Sequence, residues 1–358
     1  MSKRPTILVM AGGTGGHIFP GLAVAESLQA QGWHVHWLGT SDRMEAQVIP
    51  ANGIDISFIN IAGLRGKGIK SWLTMPFKVL QSIFQSLKVL KQVQPDVVLG
   101  MGGYASAPGG VAAWLKRVPL VLHEQNAVAG MTNRYLAKIA TQVLSAFPNA
   151  FAAPITSKVV GNPVRSDISK LYTCDERVIT KKVLVVGGSL GAKILNDTVP
   201  QAISQIKLQD IDVWHQTGSG NSAAITESYE QYGVNKDKVK VADFIEDMSA
   251  AYDWADLVIC RAGALTVSEL AMAGKPAIFV PLPHAVDDHQ TKNAEYLVKQ
   301  GGAKLLPQDQ FNATVLAQKL NLLFSSDMAL RNMAKASKSA STPDATETVA
   351  NICKALVK

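Results

Sequence analysis

A histidine at the end of a glycine-rich loop is the first side chain in this sequence with an evident chemical use. His17 closes the loop Gly12-Gly13-Thr14-Gly15-Gly16, which follows the apolar segment Thr6 to Ala11 and precedes a predicted helix from about Pro20 to Gln31. The positive end of a helix disfavours an imidazolium, so a histidine there stays neutral and can accept a proton. A histidine that only packs or caps would fit the same place. The sequence leaves both roles open.

A second candidate for acid/base chemistry is the pair His123 and Glu124, which leave a predicted strand, Leu120 to His123, at its C-terminal end. Ligands of parallel sheets bind at that end of the strands. Either side chain could transfer a proton, or it could be a satisfied polar group behind the site.

Three glycine-rich loops follow predicted strands, at 12–16, 100–104 and 187–192. The first contains four glycines, more than a tight turn needs, and the backbone N–H groups of such loops bind anions, so we expect contact with a diphosphate. The first loop does not match G-x-G-x-x-G, because Ile18 occupies the place of the third glycine. No phosphate-binding P-loop sequence occurs in the chain.

The segment from Asp256 to Gln290 predicts a strand, a loop, a helix and a further strand. The helix, Thr266 to Ala273, is closed by Gly274, and its N-terminus suits a phosphate. Glu269 lies one turn into this helix, where it could accept hydrogen bonds from a ribose. The alternative is that Thr266 and Glu269 form a capping box and need no ligand.

Composition indicates a globular protein of two domains, each of about 160 to 180 residues. Of its residues 47% are hydrophobic and 18% charged, which is typical of buried parallel strands. Residues 1–165 contain 15 Lys and Arg against 6 Asp and Glu, whereas the rest contain 20 against 22. The first half is therefore basic. Three distant cysteines predict neither a disulfide framework nor a metal site.

Predicted strands alternate with helices in both halves of the chain, which indicates an α/β fold with a doubly wound parallel sheet in each. We expect two Rossmann-like domains that face each other across a cleft. Asp210-Ile211-Asp212 has the spacing of a metal-binding D-x-D, but it begins its strand, away from the ligand end. We therefore expect no metal and no cofactor. No export signal is evident, and glycines and Pro108 interrupt the charge-free stretch 97–115.

An amphipathic helix from Ile69 to Lys91 carries apolar residues at helical spacing. Such a stripe usually packs on a core, but basic residues accompany this one, so contact with an anionic membrane surface is a second interpretation. The candidate contacts are Lys70, Trp72, Phe77, Leu80, Trp114, Lys116 and Arg117.

Six motifs, in order along nearly the whole chain, resemble the MurG family of bacterial glycosyltransferases. They are GGTGGHIFPG, MGGYASAPG, HEQNAVAGMTN, GNPVR, GGSLGA and RAGALTVSELAMAGKPAIFVP. The resemblance implies the GT-B glycosyltransferase fold. It implies an acceptor-binding, membrane-associating domain at 1–163 and a domain that binds UDP-N-acetylglucosamine at 164–343. The C-terminal helix, 344–358, is expected to pack back on the first domain.

The same resemblance implies the site residues. The donor contacts are Thr14, Gly15, Gly16, Asn126, Arg165, Ser189, Ile245, Ala264, Leu265, Thr266, Val267, Ser268, Glu269 and Gln290. The acceptor diphosphate is expected at Gly13, Gly102, Gly103 and Tyr104, and the catalytic base is His17 or Glu124. In the family the segment before the last donor contact commonly reads D-R-Q-Q, whereas here it reads Asp287-Asp288-His289-Gln290. His289 thus replaces a glutamine that contacts the sugar.

The implied activity is an inverting, metal-independent transfer of N-acetylglucosamine from UDP-N-acetylglucosamine to the 4-hydroxyl of a muramyl sugar. The acceptor is the undecaprenyl-diphosphate-linked muramyl pentapeptide of peptidoglycan synthesis. The implied partners are these two substrates, an anionic membrane surface and other proteins of cell-wall synthesis, with no nucleic acid. The implied location is peripheral, at the cytoplasmic face of the bacterial cell (inner) membrane.

Three other functions remain open from the sequence. A GT-B transferase could use another lipid or a small acceptor. A nicotinamide-dependent dehydrogenase is suggested by the first glycine loop, with Asp42 as the ribose acid, but it leaves the second loop and the Glu269 segment unexplained. A non-catalytic scaffold would bind the donor and release no UDP.

Overall fold

The chain forms two compact units, Met1–Arg165 with Thr342–Lys358, and Ser166–Ser341. The computed structural model describes residues 4–61, 69–171, 178–188, 190–208, 210–283 and 288–357, and in 69–75 the course of the backbone only. Each unit consists of one parallel sheet and the helices that pack on it.

The first unit contains seven strands, which are β1 (Thr6–Met10), β2 (His34–Gly39), β3 (Asp55–Phe58), β4 (Val97–Gly100), β5 (Leu120–Glu124), β6 (Gln142–Ser145) and β7 (Lys158–Val159). Its helices before the boundary are α1 (Gly15–Ala30), α2 (Glu45–Ala51), α3 (Ile69–Val93), α4 (Ser106–Leu115) and α5 (Met131–Leu136). The sheet order is β3-β2-β1-β4-β5-β6-β7, and all neighbouring strands are parallel.

The central strands of this sheet are apolar because both of their faces are covered by helices. All five residues of β1 are buried, and so are all four of β4. One face packs in a cluster that includes Ile7, Val9 and Trp37, and the other in a cluster that includes Leu8 and Met10. This alternation between faces is the two-residue period of a strand.

The second unit contains six strands, which are β8 (Lys182–Val186), β9 (Asp212–Gln216), β10 (Val239–Ala242), β11 (Leu257–Cys260), β12 (Ala277–Phe279) and β13 (Ala303–Leu305). Its helices are α6 (Ser166–Ser169), α7 (Lys193–Ser204), α8 (Ser222–Gln231), α9 (Met248–Trp254), α10 (Ala264–Ala273), α11 (His289–Lys299), α12 (Ala313–Phe324) and α13 (Asp327–Ser339). The sheet order is β10-β9-β8-β11-β12-β13, again fully parallel.

The last helix, α14 (Ala345–Ala355), belongs to the first unit. Val349, Ala350 and Cys353 are buried in the cluster that contains α1. At the rim of this contact, Ser27 donates a hydrogen bond to Glu347 over 2.6 Å. The chain therefore crosses into the second unit after Arg165 and returns at Thr342.

Both predicted doubly wound parallel sheets are confirmed. The prediction was wrong in detail at α1, which begins at Gly15 and not near Pro20. The first turns of α1 contain Gly15, Gly16 and Pro20, which are poor helix formers, so the sequence does not predict a helix there. None of the helices in the described ranges combines the length and the hydropathy needed to cross a bilayer.

Candidate active site

In the first unit, the sheet order creates a crevice between β1 and β4. The chain moves outward from β1 through β2 to β3, and then continues on the other side from β4. Ligands of open α/β sheets bind where the strand order reverses, outside the carboxyl ends of the strands. The first and second glycine loops follow β1 and β4, so the fold brings both to this crevice.

The two glycine loops touch each other. The N–H of Met101 donates to the carbonyl oxygen of Met10 over 2.8 Å. A Cβ atom added at Gly103 would collide with the carbonyl oxygen of Gly12, and the φ of Gly103 is +81°. Both the approach and the conformation therefore require glycine at 103.

The carboxylate of Glu45, at the start of α2, holds the first glycine loop by a hydrogen bond to its backbone. Glu45 is fully buried, and its Oε2 accepts the N–H of Gly13 over 3.0 Å. Its Oε1 accepts both the N–H and the hydroxyl of Thr40, over 3.0 and 2.7 Å. A Cβ atom at Gly12 would lie 2.5 Å from that same Oε1, so the loop passes directly over the carboxylate.

His17 lies in the first turn of α1, between the second glycine loop and the end of β5. Its Nδ1 is 2.8 Å from Oε1 of Gln125. A Cβ atom at Gly102 would lie 3.2 Å from Cε1 of the His17 ring, so a larger residue at 102 would displace the imidazole. Five of the predicted residues, Gly13, His17, Gly102, Gly103 and Asn126, therefore follow the carboxyl ends of three adjacent strands, His17 in the first turn of α1 and the others on loops.

Glu124 occupies the end of β5 with both oxygens in use. Oε1 accepts the backbone and side-chain N–H groups of Asn126, and Oε2 accepts the N–H of Gly130 and the side-chain N–H of Asn133, all within 3.2 Å. The side chain is 2% exposed. A carboxylate that accepts from four donors shapes its loop and has little capacity left to accept a further proton.

His123 is fully buried, and burial lowers its pKa to about 4. Its Nε2 lies 2.9 Å from the carbonyl oxygen of Gly161. The ring is therefore neutral at physiological pH, sits behind the loop and does not reach the crevice itself.

The remaining predicted residues of the first unit differ in exposure. Thr14 and Tyr104 are exposed at the glycine loops, while Gly15 and Gly16 are half-buried in the first turn of α1. The guanidinium of Arg165 lies over the ring of Phe19, 5.3 Å from its centroid. Phe19 also covers Gly15, where an added Cβ atom would lie 2.8 Å from the ring. Phe19 thus connects Arg165 to the first loop.

In the second unit, the reversal of strand order lies between β8 and β11, and the third glycine loop follows β8. Gln216, at the end of β9, pairs with the loop backbone: its Oε1 accepts the N–H of Gly188, and its Nε2 donates to the carbonyl of Gly188, both over 2.9 Å. Nε2 also donates to the carbonyl of Asp243 over 2.7 Å. The predicted donor contact Ser189, in this loop, lies outside the described residues.

Helix α10 follows β11 and begins at the same crevice. Its N-cap is Gly263, and no described side chain caps it. The capping-box alternative is therefore wrong, because the helix starts at Ala264 and Thr266 is already inside it. Glu269 is instead held by Tyr252, whose hydroxyl donates to Oε2 over 3.0 Å. The first turn, which includes Ala264, Leu265 and Thr266, presents its N-terminal end to the crevice.

Other predicted donor contacts lie at the same edge of the second sheet. Ile245 follows β10 and is buried. Oε1 of Gln290, at the start of α11, accepts the N–H of Leu282 over 2.9 Å. Val267 is buried, and Ser268 donates to the carbonyl of Ala264 over 3.0 Å. His289 begins α11 and is half-buried.

Those predicted membrane residues whose side chains the structure describes are exposed on the surface of the first unit. Phe77 is 76% exposed, Leu80 53% and Phe84 68% along one face of α3, and Trp114 on α4 is 53% exposed. The opposite face of α3 buries Ser82 and Ser86. The serine hydroxyls donate to carbonyls of their own helix, so these small residues can pack inward together with the buried Val89 and Leu90. Lys116 and Arg117 are exposed; the side chains of Lys70 and Trp72 lie outside the described residues.

The rejected D-x-D is part of a surface ion pair. Nζ of Lys238 lies 3.5 Å from Asp210 and 3.4 Å from Asp212. Across the part of the chain that the structure describes, no three His, Cys, Asp or Glu side chains are grouped so that they could hold a metal ion.

Sequence reasoning missed four residues that shape the site: Glu45, Gln125, Gln216 and Tyr252. Gln216 gave a signal that could have been used, because Gln216-Thr217-Gly218 follows a predicted strand as the other glycine loops do. Gln125 is part of the motif HEQNAVAGMTN, but the sequence suggested no role for it. Glu45 and Tyr252 gave no signal in the sequence, since their partners Gly13 and Glu269 lie 32 and 17 residues away along the chain.

Comparison with protein families matches both units. Residues 7–145 match the glycosyltransferase family 28 N-terminal domain, and residues 182–349 match the glycosyltransferase family 28 C-terminal domain.

Two relatives span the chain almost end to end. Proteins of Colwellia psychrerythraea and Aeromonas hydrophila are 59% and 56% identical to it, over 98% and 99% of this chain and 92% and 98% of theirs. Each is named UDP-N-acetylglucosamine--N-acetylmuramyl-(pentapeptide) pyrophosphoryl-undecaprenol N-acetylglucosamine transferase.

Solved structures give the same result for the fold. The crystal structure of Acinetobacter baumannii MurG is 41% identical, with a TM-score of 0.82 over 98% of this chain and 99% of that one. A glycosyltransferase of kitacinnamycin is only 15% identical but superposes with a TM-score of 0.74 over 99% of this chain and 100% of that one, which bears on the fold alone. The predicted GT-B fold is confirmed.

Proposed function

This chain belongs to the MurG family within glycosyltransferase family 28, and on that premise we propose that it transfers N-acetylglucosamine from UDP-N-acetylglucosamine to a lipid-linked muramyl pentapeptide. The acceptor is the 4-hydroxyl of the muramyl sugar on undecaprenyl diphosphate. Identity of 59% over nearly the whole length of both chains carries this assignment. The relatives are transferases, so a dehydrogenase is no longer the better account of the first glycine loop.

The second unit is proposed to bind the donor. The third glycine loop and the N-terminus of α10 flank its crevice, and the N-terminus of α10, which has no side-chain cap, presents backbone N–H groups that suit a diphosphate without a metal. The hydroxyl of Tyr252 orients the carboxylate of Glu269, which we assign to the ribose hydroxyls. Loss of that carboxylate in Glu269→Ala is expected to weaken donor binding by about 1 to 3 kcal/mol.

Arg165 is proposed as the cationic partner of the donor diphosphate. It is the last residue of the first unit, and the ring of Phe19 supports its guanidinium. A guanidinium matches phosphate oxygens in geometry and keeps its charge at any physiological pH. Its charge would offset the negative charge that develops on the departing UDP.

The first unit is proposed to bind the acceptor, with its diphosphate at the touching glycine loops of residues 12–16 and 100–104. Gly13, Gly102, Gly103 and Tyr104 are the contacts, of which Tyr104 is 43% exposed and available to a ligand. Gly13, Gly102 and Gly103 have positive φ angles, which glycine adopts readily, and glycine-rich loops of this kind can direct backbone N–H groups at an anion.

We assign the general base to His17. Its Nε2 takes the proton of the 4-hydroxyl while the oxygen forms a bond to the anomeric carbon. The bond from that carbon to the diphosphate oxygen breaks, and UDP leaves with the electron pair. Attack on the face opposite UDP converts the α linkage of the donor into a β linkage.

Acceptor-dependent release of UDP tests this function. The purified protein is supplied with UDP-N-acetylglucosamine and a lipid-linked muramyl acceptor, and UDP and the disaccharide product are measured together. We expect neither to form without acceptor. Binding of donor with no UDP release on addition of acceptor would refute the activity and favour a scaffold.

His17→Ala tests the base. Turnover is expected to fall by about 10² to 10⁴, the usual contribution of a general base, while the dissociation constant of UDP-N-acetylglucosamine changes little. His34→Ala is the matched control, since His34 is a surface histidine on β2 with 44% of its side chain exposed. Equal losses of turnover and donor affinity would make His17 a binding residue.

We further propose that the exposed face of α3, together with Trp114, rests on an anionic membrane at the cytoplasmic side. Its outward apolar residues and inward serines support this, as do the exposed Lys78, Lys88 and Lys116 nearby. Burying one phenylalanine contributes about 1.5 to 3 kcal/mol, and attraction of the lysines to anionic lipid weakens as salt screens it.

Vesicle sedimentation tests this surface. Phe77→Ser with Phe84→Ser is expected to reduce binding to vesicles that contain anionic lipid by at least about tenfold, the effect of losing one buried aromatic. Leu322→Ser is the control, because Leu322 is an equally exposed apolar residue, at 72%, in the second unit. Equal binding of the two variants would exclude this face as the contact.

A further inference from the structure

A line of hydrogen bonds runs from His17 into the interior of the first unit. Nδ1 of His17 is 2.8 Å from Oε1 of Gln125. Nε2 of Gln125 is 3.2 Å from Nδ1 of His123, and Nε2 of His123 is 2.9 Å from the carbonyl oxygen of Gly161. Both His123 and Gln125 are buried, at 0% and 1% exposure.

The inner end of this line has only one possible direction. A carbonyl oxygen can only accept, so Nε2 of His123 must carry the hydrogen that it shares with Gly161. Burial keeps the His123 ring neutral, as its pKa of about 4 indicates. A neutral imidazole has a hydrogen on only one of its two nitrogens, so Nδ1 of His123 carries a lone pair and accepts a hydrogen bond.

The orientation of the Gln125 amide then follows. Its nitrogen lies 3.2 Å from Nδ1 of His123 and 3.1 Å from the carbonyl oxygen of the same residue, which are both acceptors. The two hydrogens of the amide satisfy these two acceptors, whereas a flipped amide would place an oxygen against both. The amide oxygen must therefore face His17.

An oxygen at that place requires a donor on His17, so in the neutral form of the ring the hydrogen is on Nδ1. We propose that Gln125 and His123 are positioning residues that hold His17 in its Nδ1–H tautomer, with the lone pair at Nε2. This inference rests on the proposed role of His17 as the base. It adds that these two residues determine which ring nitrogen of His17 takes the proton from the 4-hydroxyl of the acceptor sugar.

This control of the tautomer matters because a free neutral histidine in water favours the other tautomer, with its hydrogen on Nε2. In that form, the nitrogen proposed to take the proton is already protonated, and a base in the wrong tautomer is a poor catalyst. Gly102 also helps to position His17, because its lack of a side chain lets the Cε1 and Nδ1 edge of the ring approach the second loop. The ring is thus fixed in both tautomer and position.

Nitrogen-15 NMR of histidine-labelled protein reads the tautomer directly. At about pH 8, where histidines are mostly neutral, the resonance of His17 is assigned by its loss in His17→Ala. We expect pyrrole-type Nδ1 and pyridine-type Nε2 in the wild-type protein. The reverse pattern would overturn the proposal without any variant of Gln125.

Gln125→Met supplies the kinetic test, because methionine has a similar length and no hydrogen-bonding amide. The His17 signal is expected to shift toward the Nε2–H pattern, and turnover to fall by about 10- to 100-fold, as loss of a buried hydrogen bond at the base predicts. Donor affinity is expected to stay within about twofold. Gln47→Met on the exposed side of α2 is the control.

The double variant His17→Ala/Gln125→Met separates the two hypotheses. If Gln125 acts through His17, the double variant is no slower than His17→Ala alone. Multiplied losses would refute the positioning role. Unchanged turnover in His17→Ala would instead refute the proposed base, whatever Gln125→Met does. A Gln125→Met protein that retains the wild-type tautomer and turnover would refute the positioning role alone.

Discussion

Replacement of Glu45 by glutamine tests how the first glycine loop is held. The carboxylate accepts three hydrogen bonds in a fully buried place, two from Thr40 and one from the N–H of Gly13. Glutamine has the same size but only one oxygen. If that oxygen keeps the Thr40 bonds, the new amide nitrogen faces the N–H of Gly13. Both groups are hydrogen-bond donors, so the N–H of Gly13 loses its acceptor.

The cost follows from the bond that is lost. A hydrogen bond to a charged group contributes about 1.5 to 3 kcal/mol, and a buried donor left without an acceptor costs a similar amount. We therefore expect Glu45→Gln to lower the free energy of unfolding by about 2 to 3 kcal/mol. For a unit of this size, the midpoint of thermal unfolding would fall by about 4 to 12 °C.

Thermal unfolding and acceptor-dependent UDP release measure the two consequences. Turnover is expected to fall as well, because the displaced Gly13 belongs to the loop proposed for the acceptor diphosphate. Asp55→Asn is the matched control in the same unit, since that carboxylate is 80% exposed and should change stability by less than about 0.5 kcal/mol. A Glu45→Gln protein that unfolds at the temperature of this control would refute the argument.

Three further substitutions test separate contacts. Gly103→Ala is expected to lose more stability and turnover than Gly53→Ala: both positions have positive φ and share a cost of about 1 to 2 kcal/mol, but only the Cβ at 103 meets a carbonyl. Similar unfolding curves would contradict this. Tyr252→Phe is expected to weaken UDP-N-acetylglucosamine binding by about 1 kcal/mol in calorimetry, because Glu269 loses its orienting hydroxyl; an unchanged affinity would remove Glu269 from the donor site. Burial lowers the pKa of His215 to about 3, so between about pH 6.5 and 3 the unfolded chain binds a proton that the folded protein does not, and stability falls as pH falls through this window. At pH 5 this amounts to about 2 kcal/mol relative to pH 7. Denaturant titrations at both pH values should show a smaller loss for His215→Asn, and an equal loss would refute the assignment.

Much of the fold could be predicted from the sequence because its signals are local. A buried strand followed by glycines and an apolar helix is visible within about thirty residues, and the chain repeats that unit in both halves. The predicted strand Leu120 to His123 agrees with β5, Leu120–Glu124, to within one residue. The start of α1 could not be predicted, since Gly15 and Gly16 are read as loop unless the tertiary context is known.

The direction of a helix face is a second feature that the pattern left open. The apolar stripe of α3 fits either a core or a membrane surface, because periodicity shows that two faces differ but not which one points inward. Packing decided which face points inward: Ser82 and Ser86 are buried, whereas Phe77 and Phe84 are exposed.

The sequence by itself determined the family, the two parallel sheets and the positions of the glycine loops, because each of these depends on residues that are close together in the chain. Tertiary structure alone decided which loops touch, that Glu45 reaches Gly13, and that Gln125 joins His17 to His123. The order of strands in a sheet is set by long-range pairing, so it brings together side chains whose separation along the chain, 108 residues for Gln125 and His17, carries no local signal.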